Sequence, residues 1–166
     1  DKVAADMIRW PARGRQAEAR IKEILSRKGE AGGDIKALIR AFQARDFFPE
    51  RVRSEASAIG QILEDKDLDG RRDLRGRSII TIDGADAKDL DDAISVEKLP
   101  NGNYLLGVHI ADVSHYVKEG APLDKEALKR GTSIYLIDWV IPMLPEELSN
   151  GICSLSPGED RLTLSV

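Results

Sequence analysis

The first part of the chain is patterned as two β-strands. Apolar and polar residues are interspersed over residues 1–10 and 18–25, which makes both segments strand candidates, and proline and glycine in the segment between them favour a turn. Two strands do not form a stable unit by themselves. A linker is expected at residues 28–33, because glycine occupies three of these six positions.

Helices are predicted after this linker. Four apolar residues recur at spacings of three and four, which places them on one face of a helix that begins with Asp34 as its cap. A second helix is expected to begin near Pro49, with proline in its first turn, and to run past Leu63. We interpret both helices as connectors between two domains. The four apolar residues are Ile35, Leu38, Ile39 and Phe42.

The second half of the chain contains strand-like segments separated by turns. β-branched residues are frequent in residues 77–82, which predicts a buried strand ending at Asp83, and a second strand is predicted over residues 89–98. A short helix is expected over residues 120–131 and a strand over residues 133–137. Together these segments predict an α+β fold with a mixed, mostly antiparallel sheet and helices.

A tight hairpin is expected after the second of these strands. Asn101 and Gly102 are typical of a two-residue hairpin loop, which would pair the strand with residues 104–113. In that register the numbers of paired residues sum to 203, so Asp91 would face Asp112 across the sheet. Asp112 would then add a carboxylate to the aspartates that surround Asp91 in the sequence.

Residues 81–94 place five aspartates within ten positions of an otherwise apolar, strand-like segment. Carboxylates this close raise one another's pKa unless a divalent cation neutralises them, and an all-oxygen donor set suits magnesium or manganese. The segment therefore predicts metal-assisted phosphate chemistry, with an acidic surface loop as the alternative. The five are Asp83, Asp86, Asp89, Asp91 and Asp92.

The same segment, T-I-D-G-A-D-A-K-D-L-D-D-A-I, resembles the signature of the ribonuclease II and ribonuclease R family of 3′-to-5′ exoribonucleases. Three further segments match this family in the same order, and the match is closer to its ribonuclease R branch. They are residues 107–117 (G-V-H-I-A-D-V-S-H-Y-V), 130–135 (R-G-T-S-I-Y) and 141–162, which include N-G-I-C-S-L-S-P-G-E-D-R-L.

The resemblance implies a magnesium-dependent, processive exoribonuclease that releases nucleoside 5′-monophosphates from single-stranded RNA, with manganese as a second possible metal. The complete enzyme is expected to be a monomer. Asp86 falls at a variable position of the signature, and Tyr135 stands where the family has a tyrosine that stacks near the scissile end of the RNA. The resemblance assigns metal binding and catalysis to Asp83, Asp89, Asp91 and Asp92, with Asp91 the least replaceable.

The resemblance also divides the chain into three parts. Residues 1–28 correspond to the last strands of an oligonucleotide-binding, cold-shock-like barrel, residues 29–72 to a helical connector, and residues 73–166 to the first part of a ribonuclease II-type catalytic domain. The last residues alternate like a strand and stop without a turn signal, so we interpret the C-terminus as a cut through that domain. The chain alone is therefore expected to be inactive.

Charge is divided unevenly along the chain. The net charge is −4, but residues 1–80 hold 18 basic and 14 acidic groups, whereas residues 81–166 hold 7 and 15. A mildly basic half beside an acidic, cation-binding half fits an RNA-handling enzyme. Trp10, Arg13 and Arg15 are candidates for an RNA surface, although ordinary packing of Trp10 beside solvated arginines is the favoured interpretation.

Two other functions have to be weighed. Residues 65–70 match the opening of an EF-hand calcium loop, but the twelfth position of that loop is Gly76 instead of a glutamate, so a polar turn between domains is favoured. The main alternative to an enzyme is a non-catalytic RNA-binding or regulatory protein with the same fold. An altered aspartate set would favour it, and all four aspartates are present.

The remaining chemistry-bearing residues favour structural roles. Cys153 is the single cysteine, so an intrachain disulfide is excluded, and we expect it to be a small buried side chain. His109 alternates within a strand and has no cysteine or second histidine spaced for zinc, which favours a structural histidine. No apolar run is long enough for a membrane span, so a cytoplasmic protein with no membrane partner is expected.

Overall fold

The computed structural model describes residues 1–137 and 139–166 and separates into two compact units. The first unit comprises Asp1–Phe47 and Tyr135–Ile141, and the second comprises Phe48–Ile134 and Pro142–Val166. In these described ranges no helix is both long enough and apolar enough to cross a membrane.

Both units are built from strands and short helices. In chain order the elements are β1 (Lys2–Arg9), β2 (Glu18–Ser26), α1 (Gly33–Ala41), α2 (Glu50–Ala58), α3 (Asp65–Leu68), β3 (Ile79–Ile80), β4 (Asp92–Lys98), β5 (Tyr104–Ala111), α4 (Val113–Tyr116), α5 (Pro122–Arg130), β6 (Ile134–Tyr135), β7 (Val140–Ile141), a π-helical segment (Glu147–Ile152) and β8 (Thr163–Ser165).

In the first unit, β1 and β2 lie at the two predicted strand segments and pair antiparallel. Helix α1 begins two residues earlier than predicted: Gly32, in a left-handed conformation, is its cap instead of Asp34, which lies in the first turn. Gly33 lies against Ser26, where there is no space for a Cβ atom, so this position favours glycine. Asp34 still complements the positive end of the helix dipole.

The sheet of the second unit has the order β3-β4-β5-β8, with antiparallel neighbours throughout. The strands beside the aspartates are shorter than predicted, because β4 begins at Asp92 instead of Asp89 and β3 contains only two residues. The predicted burial of the segment 77–82 is wrong, since 57% of Ile80 and 79% of Ile82 are exposed. Its position at the sheet edge gives it one neighbouring strand.

The hairpin between β4 and β5 has a longer loop than the Asn-Gly pair predicts. Lys98 pairs with Tyr104, which leaves the five residues 99–103 in the loop. The amide of Leu99 donates to the carbonyl of Asn103 at 2.7 Å, closing the loop outside the predicted two-residue turn.

This loop shifts the register of the two strands by one residue. The Ala111 amide donates to the Asp91 carbonyl at 2.9 Å, and Asp92 pairs with Ile110. Asp91 therefore lies opposite Ala111, and the predicted pairing of Asp91 with Asp112 is wrong. Because the side-chain direction alternates along a strand, a shift of one residue changes which side chains share a face.

The core of the second unit lies between α2, α5, the end of β5 and the π-helical segment. Helix α2 ends at Ala58, before the predicted limit at Leu63, whereas α5 ends at Gly131 as predicted. Cys153 is 3% exposed in this core, which confirms that it is a buried small side chain. Burial raises the pKa of its thiol to about 12. The core residues are Val52, Ala56, Ala111, Leu123, Leu148, Ile152 and Cys153.

Candidate metal-dependent active site

The aspartate loop, residues 83–92, is tied to the second unit through its backbone. The Leu90 amide donates to Ser154 Oγ at 3.2 Å, and Ser154 Oγ donates to the carbonyl oxygen of Lys88 at 2.7 Å. These two bonds fix the peptide groups on both sides of Asp89. The irregular part of the loop is thus held in place without being a strand.

The carboxyl group of Asp91 lies among three other carboxylates. The residue as a whole is exposed, but the protein around the carboxyl group partly desolvates it and raises its pKa. The negative charges of Asp89, Asp92 and Asp83 raise the pKa of Asp91 further. The three negative charges that act on the carboxyl group of Asp91 are thus those of the other aspartates singled out from the sequence.

The donor chemistry of this group fits a hard divalent cation. Among the described residues, every side-chain charge that shifts the pKa of Asp91 is negative and belongs to a carboxylate. Carboxylate oxygens are ligands that hard divalent cations prefer. Within 1–137 and 139–166, however, no three His, Cys, Asp or Glu side chains converge closely enough to hold a metal ion in this arrangement. Magnesium retains several water ligands in proteins, so it does not require such convergence.

Asp112 has a different role from the one expected of it. Its carboxylate accepts hydrogen bonds from Arg71 at 2.6 Å, from Ser114 Oγ at 2.7 Å and from the amide of His115, so that it caps α4. Asp112 is 5% exposed. It is a buried structural carboxylate with a cationic partner, Arg71.

The segment that resembles a calcium loop folds instead as a short helix. Helix α3 has a capping box in which Glu64 and Asp67 bond each other's backbone amides. Asp67 Oδ1 also lies 3.2 Å from Nε2 of His115. Asp67, the third residue of the segment, is therefore engaged in helix capping and in a contact with His115 of α4.

His109 is structural, as the sequence favours. Its side chain is 4% exposed, and its two ring nitrogens lie 3.0 Å from Ser95 Oγ and 2.8 Å from Ser165 Oγ. Both nitrogens are used to join β4, β5 and β8.

The candidate RNA-contacting aromatics are at the surface of the first unit. Trp10 is 73% exposed, so the favoured expectation that it packs against the protein is wrong, and Arg13 and Arg15 beside it are exposed as well. An isolated antiparallel bridge between Ala12 and Arg15 closes the turn that connects β1 and β2. Tyr135, in β6, is 65% exposed.

Comparison with known proteins assigns both parts of the chain. Residues 71–166 match the RNB domain and residues 1–49 a cold shock domain. Ribonuclease R of Thermotoga maritima is 59% identical over 99% of the chain, which covers 24% of that protein. Ribonuclease R of Escherichia coli is 41% identical over 98% of the chain and 20% of that protein.

Solved structures give the same result. The structure "Mycoplasma genitalium RNase R in complex with double-stranded RNA" matches 98% of this chain and 29% of that chain, with 31% identity and a TM-score of 0.89. Yeast Ssd1, described as a pseudonuclease, matches 97% of the chain with a TM-score of 0.69 and 24% identity, which shows the fold alone.

The fold and the paired domain matches define an RNB-type protein with a preceding cold shock domain, which confirms the predicted α+β class. The chain belongs to the RNB domain family, and it is similar to ribonuclease R proteins of that family. It spans about a quarter of the length of its Thermotoga maritima relative and a fifth of the Escherichia coli protein.

Proposed function

We propose that this chain is part of a magnesium-dependent, processive 3′-to-5′ exoribonuclease that hydrolyses single-stranded RNA to nucleoside 5′-monophosphates. The observation that supports it most is the grouping of Asp83, Asp89 and Asp92 around Asp91, in a chain 59% identical to a ribonuclease R. Carboxylates held close together are stable as anions beside a cation, because the cation offsets their mutual repulsion. Manganese is the second candidate metal, and the complete enzyme is proposed to be a monomer.

Asp83 and Asp92 are proposed as the chief metal ligands, with Asp89 and Asp91 completing the group. A bound divalent cation would supply Lewis-acid activation of water and stabilisation of the departing 3′ oxygen. The contribution of the chain itself is to hold the anionic oxygens in fixed positions through the backbone of residues 88–92. Asp92 is fixed by the ladder with β5, and Asp91 by its bond from Ala111.

RNA is the proposed partner of both units. Two related structures of Mycoplasma genitalium RNase R are described as complexes, one with double-stranded RNA and one with ribose-methylated single-stranded RNA. Exposed aromatic side chains provide surfaces on which bases stack without regard to sequence. We therefore propose that Trp10 contacts RNA together with Arg13 and Arg15, and that Tyr135 stacks on a base near the scissile end.

The 166-residue chain alone is proposed to be inactive. Residues 81–166 hold 15 acidic and only 7 basic groups, and Lys88 is the one basic residue in the aspartate loop. Phosphoryl chemistry requires further positive groups to hold the RNA and offset charge in the transition state. Magnesium-dependent release of mononucleotides by the purified chain, abolished by Asp91→Asn, would contradict this part of the proposal.

A non-catalytic RNA-binding protein is the second candidate, because the fold is shared with yeast Ssd1, described as a pseudonuclease. The two candidate functions can be distinguished by an experiment on a polypeptide of the relatives' length that contains this chain, which we call the long polypeptide. Isothermal titration with magnesium and with calcium, on wild type and on Asp83→Asn, should show magnesium binding that the substitution weakens. Absence of any magnesium binding in the wild type would favour the non-catalytic protein.

A further inference from the structure

A single buried hydroxyl holds the backbone on both sides of Asp89. Ser154 is completely buried, with 0% exposure. Its Oγ donates to the carbonyl oxygen of Lys88 at 2.7 Å and accepts a bond from the amide of Leu90 at 3.2 Å. The two peptide groups that flank one of the four aspartates are therefore fixed by one side chain from a distant part of the sequence.

Ser154 is itself held by the core. It directly follows Ile152 and Cys153, both members of the core cluster. Its amide donates to the carbonyl oxygen of Gly151 at 2.9 Å, and its carbonyl oxygen accepts from Nε of Arg161 at 2.9 Å. The position of the hydroxyl is thus set by contacts of residues 151–154 and Arg161, which lie outside the aspartate loop.

The next residue adds a second connection to the same loop. The amide of Leu155 donates to the carbonyl oxygen of Leu90 at 2.9 Å. Both polar groups of the Leu90 backbone are therefore bonded to residues 154 and 155. The segment from Lys88 to Leu90 runs alongside this part of the chain, although it lies outside any strand.

Such a connection is needed because the aspartates repel one another. Regular β-structure begins only at Asp92, so the strand ladder does not fix Asp89. In a freely moving loop, mutual repulsion of carboxylates would drive them apart. Backbone bonds to a rigid neighbour oppose this separation and preorganise the oxygen ligands for a cation.

We propose that Ser154 is a positioning residue for the metal site: its hydroxyl fixes the backbone around Asp89 so that the carboxylates of Asp89 and Asp91 face a common divalent cation. The inference rests on the proposed function and deepens it. The hydroxyl of Ser154 bonds the backbone of the aspartate loop and not its carboxylates. Its effect passes through the Lys88 and Leu90 peptide groups.

The test compares two buried serines in the long polypeptide. Ser154→Ala removes the hydroxyl that bonds the loop. Ser95→Ala is the matched control, because Ser95 is 8% exposed and its Oγ bonds His109 in the same sheet, away from the loop. Thermal unfolding of both variants measures the general cost of losing a buried hydroxyl.

Two quantities decide the test. One is the affinity for Mn²⁺, measured directly by electron paramagnetic resonance, and the other is the Mg²⁺ concentration that gives half-maximal RNA hydrolysis. Loss of a residue that orients metal ligands typically weakens metal affinity about 10–100-fold, and we expect Ser154→Ala to fall in this range. Ser95→Ala should change both quantities less than about twofold. Mn²⁺ affinity of Ser154→Ala equal to wild type, or equal weakening by both variants, would overturn the proposal.

Two further measurements keep the outcome clear. If Ser154→Ala does not fold, Ser154→Cys is used in its place. Hydrogen exchange of the wild type tests the contact between Ser154 and the Leu90 amide without any substitution. The Leu90 amide should exchange as slowly as the Ala111 amide, and rapid exchange at Leu90 would refute the positioning role. If Asp91→Asn abolishes turnover but Ser154→Ala binds Mn²⁺ like the wild type, only the positioning role of Ser154 is refuted. If Asp91→Asn remains active, the proposed function is refuted.

Discussion

Arg71 donates a hydrogen bond of 2.6 Å to the carboxylate of Asp112, and only 5% of the Asp112 side chain is exposed. Burial alone would raise the pKa of this carboxyl group, but the bonds from Arg71 and Ser114 lower it by more, so that the pKa of Asp112 lies below its usual value. The pair links the segment before β3 to the end of β5. It therefore stabilises the unit that contains the aspartate loop.

This pair predicts a loss of stability in acid. Because the folded pKa of Asp112 is below the unfolded value of about 3.9, its contribution is complete above that value and disappears as the pH falls through the folded pKa. Asp112→Asn should lower the free energy of unfolding at pH 7 by about 1.5–3 kcal/mol and flatten its dependence on pH in acid. Urea unfolding from pH 7 down into the acid range measures both the free energy of unfolding and its dependence on pH. The exposed Asp69→Asn is the control, and an unchanged acid profile in Asp112→Asn would contradict the assignment.

A second stability prediction concerns the ion pair between Glu126 and Arg130. Their side chains are 4% and 3% exposed, with Oε1 and Nε 3.1 Å apart, and the guanidinium lies over the ring of Phe48 at 3.7 Å. Glu126→Gln removes the negative charge from a buried pair and should cost about 3–5 kcal/mol. Thermal and urea unfolding measure the loss. The exposed Glu119→Gln should be near neutral, and equal stability of both variants would show that the pair contributes little.

Trp10 is predicted to matter for RNA affinity and little for stability. Because 73% of it is exposed, Trp10→Ala should change the free energy of unfolding by less than about 0.5 kcal/mol. Loss of base stacking should reduce affinity for single-stranded RNA by about 1–3 kcal/mol. Fluorescence anisotropy measures the affinity. Phe42→Ala, at an aromatic residue 80% exposed in the same unit, is the control, and equal losses in both variants would remove the special role of Trp10.

Tyr135 is predicted to affect where degradation stops more than whether metal binds. Tyr135→Ala loosens the grip on a terminal base, which should change the length of the final product while Mn²⁺ affinity stays at the wild-type value. Product ladders from the long polypeptide measure this change. Tyr104→Ala, at a tyrosine of similar exposure in β5, should leave the ladder unchanged. A wild-type ladder from Tyr135→Ala would indicate that the ring only packs.

Local patterns in the sequence predict much of the fold. The mix of apolar and polar residues predicts β1 and β2, and proline near the start with glycine at the end predicts α5, because these signals act within one element. The Asn-Gly pair predicts the position of the hairpin correctly, but it does not predict the length of the hairpin loop. The bond between Leu99 and Asn103 closes a five-residue loop instead of the predicted two-residue loop. The longer loop shifts the register of β4 and β5 by one residue, so that Asp91 lies opposite Ala111 instead of Asp112.

The contacts that support the candidate site were not predictable in the same way. Arg71 lies 41 residues from Asp112, and Ser154 lies 66 residues from Lys88. Neither residue type has a local pattern that identifies its partner. A single sequence shows which residues have suitable chemistry, whereas only the folded chain shows that Ser154 and Lys88 are neighbours.

The central claim, that the aspartate loop supports metal-dependent RNA hydrolysis, is tested most directly by the rate of magnesium-dependent release of nucleoside 5′-monophosphates from single-stranded RNA by the long polypeptide. Asp91→Asn should lower this rate at least about 10²-fold, since metal stabilisation is worth several kcal/mol, with little change in RNA affinity. Asp86→Asn, which makes the same change in the same loop outside the four aspartates, should stay within a few-fold of wild type. Wild-type turnover by Asp91→Asn at saturating magnesium would contradict the account.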